Sequence, residues 1–106
     1  MATKDEWLLM HRDTPIATLK VYDSDQPWYL SYFLPNKNFD DHEYFFLEFQ
    51  ERYKSGKIQN PDKFFAELKA NEYSIKLGNE KLFEFMLLFD ESKKQVRIRK
   101  RESFSA

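Results

Sequence analysis

The sequence predicts an α+β domain: an antiparallel sheet of about six strands, ordered β-β-β-α-α-β-β-β, with two helices packed on one face. Three observations lead to this prediction. Apolar and polar residues alternate near both ends of the chain, as in half-buried strands. The middle of the chain has apolar residues at helical spacing behind capping residues. The length of 106 residues fits one domain, residues 1–106, with a single core.

Three strands are expected before the helices. The segments 7–12 and 16–22 flank a short polar turn and form a hairpin. A third strand runs over residues 28–34 and ends at Pro35, because proline cannot donate to a sheet ladder.

Two helices follow. Asn38 is the predicted N-cap of the first helix, and Gly56 is its C-terminal stop. Asn60 and Pro61 begin the second helix, because proline suits the first helical position. Apolar residues at a spacing near 3.6 give the pair its buried faces: Phe46, Phe49, Tyr53, Phe64, Phe65 and Leu68.

The last part of the chain predicts three more strands. The first covers 73–77, and a turn at Gly78 follows it. The second covers 82–90 and is apolar on both faces, which favours a central place in the sheet. The third begins near Val96, and as the terminal strand it is expected at a sheet edge.

Composition indicates a soluble, cytoplasmic protein. No apolar run exceeds five residues, which is too short for a membrane span, and the first six residues lack the apolar core of a signal peptide. The net charge is −1, but residues 1–53 carry −5 and residues 54–106 carry +4. Such an asymmetry either marks an interaction surface or cancels where the two halves pack together, and we favour cancellation.

The sequence offers little for catalysis, so we expect no enzyme, cofactor or metal. It contains no cysteine, and its two glycines are too far apart to form a phosphate-binding loop. The acids beside His42 are interpreted as helix-capping residues, and a metal centre would also need His11. An acid–base enzyme would have only His42 and Glu84 to use. Glu84 is instead expected to pair with Arg97 or Arg99, because buried charges need partners.

Aromatic content favours a protein-interaction domain. The chain has 11 Phe, 6 Tyr and 2 Trp, more rings than one small core needs, and exposed rings are typical of partner sites. The partner is expected to be another protein or a second copy of this chain. The helix that carries Tyr44, Phe45 and Leu47 is apolar around so much of its circumference that we expect it to take part.

The strongest local signal is basic. Residues 93–101 hold 6 of the 17 Lys and Arg residues, and alternation places three arginines in a row on the face away from the helices. The candidate partner- or anion-binding residues are Arg97, Arg99, Arg101, Lys94, Tyr22, Tyr29 and Trp28. Arginines beside aromatic rings are suited to binding a nucleotide or single-stranded nucleic acid. The alternative, which we favour, is that the charges protect an edge strand from aggregation.

Two stretches of the first half carry a resemblance. The segment from Leu9 through Leu19 and the tetrapeptide Asp25-Gln26-Pro27-Trp28 resemble a group of short, uncharacterised bacterial proteins. Those proteins open with a hairpin, a D-x-P-W segment and an aromatic-rich helix. The resemblance implies a bacterial or phage origin and no particular activity. A small accessory, immunity or anti-defence protein fits this profile.

Overall fold

The computed structural model describes residues 6–25, 28–57 and 61–100. Within these residues the chain forms two α-helices and one antiparallel sheet, which confirms the predicted fold class. The strands are β1 Glu6–His11, β2 Thr14–Asp25, β3 Trp28–Pro35, β4 Tyr73–Leu77, β5 Glu80–Leu82, β6 Phe85–Phe89 and β7 Gln95–Lys100. A 3-10 turn at Lys37–Asp41 precedes the helices α1 Glu43–Lys54 and α2 Pro61–Ala70.

The strand order across the sheet is β5-β4-β1-β2-β3-β7-β6. The first three strands therefore form the middle of the sheet, and the C-terminal strands add to both sides of it. The prediction of one central strand over 82–90 was wrong, because Leu82 ends β5 and residues 85–89 form β6, and these two strands lie at opposite edges of the sheet. The sequence does not show the break between these two strands, because Phe83 continues the apolar pattern. In the structure, however, the Phe83 side chain is 48% exposed.

The sheet is strongly curled. β5 ends at Leu82 and β6 begins at Phe85, so only three residue steps, about 11 Å of extended chain, join the two edges. The edges must therefore lie close together, and the sheet has a concave inner face and a convex outer face. Both helices pack on the inner face, in one core with the inward side chains of the strands.

Phenylalanine fills most of this core. Phe33 of β3 contacts Phe39 and Phe89, with ring centroids 4.9 and 4.8 Å apart, and Phe49 stacks on Phe64 at 3.7 Å. Most apolar side chains of α1 are used in this core. Phe45 and Leu47, on the flanks of the helix, pack against the core, while Tyr44 is 74% exposed. The apolar circumference that favoured α1 as a docking element is thus largely used within the chain.

The start of the helical region differs from the prediction. Asn36, rather than Asn38, caps the 3-10 turn, because its side-chain oxygen accepts a hydrogen bond from the Asn38 N–H at 2.7 Å. The α-helix itself begins at Glu43. Neither helix in the described part of the chain combines the length and the apolar character that crossing a bilayer requires.

Each sheet edge is protected by a different device. β5 is only three residues long. β6 is covered by Gln50 of α1, whose carboxamide donates to the Phe89 carbonyl at 3.1 Å and accepts from the Phe89 N–H at 2.5 Å. β7 is not an edge at all, because it pairs with β3 and β6. The interpretation of its arginines as edge protection was therefore wrong.

Candidate functional site

The convex side of the sheet carries the largest exposed aromatic group in the described residues. We define the outer face by the outward side chains Tyr22, Leu30, Tyr32, Leu34, Leu88 and Arg97, which β2, β3, β7 and β6 supply. Tyr22, Tyr32 and Leu34 are each nearly half exposed, at 47%, 46% and 45%. Both helices pack into the core on the other side of the sheet, and the end of α1 approaches this face at Lys54.

The two tyrosines form one unit at the centre of this face. Their ring centroids lie 4.5 Å apart, and the Tyr22 hydroxyl donates to the side-chain oxygen of Gln95 at 2.9 Å. A cleft of about 380 Å³ lies beside them, and its lining includes Leu30, Leu88, Arg97 and, from the end of α1, Lys54. The arrangement offers rigid rings, a pocket and a guanidinium to a partner.

Most of the predicted site residues that the structure describes lie on or beside this face. Arg97 is exposed on β7, and Lys94 is exposed in the turn before it. Arg99 is half-buried, with its guanidinium carbon 5.7 Å from the centre of the Trp28 ring. Arg101 lies outside the described residues.

Tyr29 is the exception, and its placement on the Arg-bearing face was wrong. It pairs with Ile98, which is fully buried, and directly opposed residues share a face. Its ring packs edge-on against Trp7 at 5.2 Å, and the Lys100 ammonium lies 5.3 Å from its centre. Tyr29 therefore belongs to the inner face. Its neighbour Trp28 lies on the outer face, because successive side chains along β3 point to opposite faces of the sheet.

Two aspartates also reach the outer face, and sequence reasoning missed them. Strict alternation after Tyr22 would turn Asp23 inward, but the register shifts between Val21 and Asp23. This bulge adds one residue, so Asp23 opposes Leu30 and Asp25 opposes Trp28. No local sequence signal marks the bulge, because it depends on how β2 pairs with β3.

The outward side chains therefore form repeated rows across the sheet. In one row the order from β2 to β6 is Asp23, Leu30, Arg97 and Leu88. In the next row the order is Asp25, Trp28, Arg99 and Met86; Met86 is buried and Arg99 is half-buried, so this row is less open than the first. Each row thus places an acid on β2, an apolar side chain on β3 and an arginine on β7. The positive charge of β7 is matched by negative charge two strands away.

A second cluster joins both histidines, which are far apart in the sequence. The rings of His11 and His42 are 4.4 Å apart, and His42 Nδ1 shares a hydrogen bond of 2.7 Å with the Tyr73 hydroxyl. Burial lowers the pKa of His42, the neighbouring His11 lowers it further, and Asp41 partly opposes them. Burial also raises the pKa of Tyr73. The cluster ties β1, β4 and the start of α1 together.

Glu84 belongs to a separate cleft of about 940 Å³ near the end of α2. Its carboxylate accepts a hydrogen bond from Lys69 at 2.7 Å, a partner on a helix that sequence reasoning did not foresee. The cleft also contains the ion pairs Arg12–Glu72 at 3.0 Å and Lys81–Asp13 at 3.7 Å. Its charged side chains are therefore engaged with one another. No group of three His, Cys, Asp or Glu side chains in the described ranges is placed to hold a metal ion.

Comparison with known proteins found no matching family model, no similar curated protein and no similar solved structure. The outer face and the histidine cluster are therefore weighed on their own chemistry.

Proposed function

We propose that this protein acts by binding another protein through the outer face of its sheet. The observation that carries the proposal is the contiguous set of half-exposed apolar side chains, Tyr22, Tyr32 and Leu34, on strands inside an open sheet. Tyrosine and arginine are the side chains that most often dominate binding energy at protein interfaces. An exposed apolar patch rimmed by polar groups is typical of such a site.

The alternative, binding of a nucleotide or single-stranded nucleic acid, is less well supported. The Tyr22 and Tyr32 rings pack against each other, so a base has less free ring surface on which to stack. Asp23 and Asp25 share the face with the arginines, and they weaken its attraction for phosphate. A role as a small bacterial accessory, immunity or anti-defence protein remains a prediction.

Site-specific photo-crosslinking in the producing cell tests the proposal. A photoreactive phenylalanine analogue replaces Tyr32, and a matched control carries it at Tyr44, which is exposed on α1 at the other side of the sheet. We expect protein adducts at position 32 and few at position 44, with the position-32 adducts lost when Arg97→Asp is added. Equal adducts at both positions, or none at position 32, would overturn the proposed function.

An oligonucleotide assay tests the alternative. Fluorescence anisotropy of a labelled oligothymidine should show no saturable binding at moderate salt. Tight binding that falls steeply with added salt and is lost in Arg97→Gln would replace the proposal with nucleic-acid binding.

A further inference from the structure

We infer that the partner of the outer face is a second copy of this chain, an inference that rests on the proposed function. β3 places an apolar stripe in the middle of the face, formed by Trp28, Leu30, Tyr32 and Leu34. Aspartates flank the stripe on β2, and arginines flank it on β7. A surface with opposite charges on the two sides of an apolar stripe becomes complementary to itself after a two-fold rotation.

The strand order fixes the direction of the two-fold axis. If the axis runs parallel to β3, each β2 lies over the partner's β7. Asp23 then faces the partner's Arg97, and Leu30 faces the partner's Leu30. An axis perpendicular to the strands would place β2 over β2 and bring like charges together, which disfavours that arrangement.

The row of Tyr32 fits the same arrangement. Tyr32 meets its own counterpart on the axis. Its cross-strand neighbours are Lys20 on β2 and the uncharged Gln95 on β7, so Lys20 faces an amide rather than another cation. The stripe therefore pairs apolar side chains along its whole length, while no like charges oppose each other.

The convex shape limits the size of the contact. Two convex faces touch along their centre, about three strands at 4.8 Å spacing and eight residues at 3.3 Å, or roughly 380 Å² for each copy. The total of roughly 760 Å² is below the size of a stable interface and fits only a weak, transient complex. We therefore expect a dimer that forms at high micromolar concentration and dissociates on dilution.

A charge-exchange experiment tests this geometry by analytical ultracentrifugation from 10 μM to 1 mM. This range of protein concentration covers the dissociation constants expected of a weak dimer with so small an interface. In a dimer of the Asp23→Arg variant, the introduced arginine faces the partner's Arg97. In a dimer of the Arg97→Asp variant, the introduced aspartate faces the partner's Asp23. We expect each variant to weaken self-association at least tenfold. An equimolar mixture of the two should regain it, because both contacts become complementary in the mixed dimer.

The controls separate this inference from a general effect of charge. Glu51→Arg and Lys63→Asp make the same charge changes at exposed positions on the helices, on the other side of the sheet, and they should leave self-association unchanged. A wild type that stays monomeric at 1 mM, or a mixture no better than its components, would overturn the inference. If the position-32 adducts then contain a different protein, the proposed function stands with another partner; if there are none, both fail.

Discussion

Gln50 should contribute more to stability than any other polar side chain on α1. It is 8% exposed, and its carboxamide satisfies both the N–H and the C=O of Phe89 at the open edge of β6. Gln50→Met keeps the side-chain length but leaves both backbone groups buried without this partner. Each unsatisfied buried group costs about 1–3 kcal/mol, so with some relaxation the free energy of unfolding should fall by about 2–4 kcal/mol.

The size of the chain converts this free energy into a melting shift. At about 2.1 cal/mol/K per residue, the entropy of unfolding is about 0.22 kcal/mol/K for 106 residues. Gln50→Met should therefore lower Tm by about 9–18 °C in differential scanning calorimetry. Glu51→Met, at the neighbouring exposed position on α1, is the matched control and should change Tm little. A Gln50→Met shift no larger than the control's would refute the reasoning.

Three further outcomes follow from local geometry. As the pH falls below about 6.5, the free energy of unfolding from urea titrations should fall more steeply for wild type than for His42→Asn. Burial and His11 lower the pKa of His42 in the folded state, so the unfolded state binds more protons than the folded state. The same dependence of this free energy on pH in both proteins would contradict the prediction. Asp90→Ala should speed amide exchange at Lys94 and Gln95, since the Asp90 carboxylate accepts from both N–H groups at 3.1 and 3.2 Å; unchanged protection by NMR would contradict it. Gly78→Ala should cost about 1–2 kcal/mol, or about 5–9 °C in Tm, because φ is +60° there while a Cβ meets no atom within 4 Å; an unchanged Tm would exclude backbone strain.

Asp90 also shows how a surface carboxylate holds a turn. Desolvation alone would raise its pKa, but hydrogen bonds from the Gln95 N–H, the Ser92 hydroxyl and the Lys94 N–H lower it overall. The folded state therefore favours the charged form. Its contribution to stability is present above the usual Asp pKa of 3.8 and is lost as the pH falls through the lower folded value.

The elements that local patterns specify were predictable from the sequence. Alternation placed β1, β2 and β3, because the side-chain period of a strand is two residues, but it did not show which face of β3 is outward. Helical spacing likewise identified Phe46 and Phe49 as core residues. These inferences needed only neighbours in the chain.

The failures concern pairing between distant segments. The position of a strand within the sheet has no local signature, so β6 was expected in the centre and β7 at an edge. The bulge that turns Asp23 outward arises from pairing with β3. The contact between His11 and His42 exists because β1 pairs with β4 and thereby reaches the start of α1. Each of these required the complete topology.

The placement of the C-terminal strands on both sides of β1–β3 has a consequence for how the chain folds. β4 must find β1, and β7 must find β3, across most of the sequence, so loop closure precedes much of the stabilising contact. Folding should therefore be slow for a domain of this size. Before β4 and β7 pair with them, β1 and β3 would be the unpaired edges of β1–β3, and unpaired edges are prone to pair with other chains. An emerging polypeptide would carry that risk until β7 leaves the ribosome.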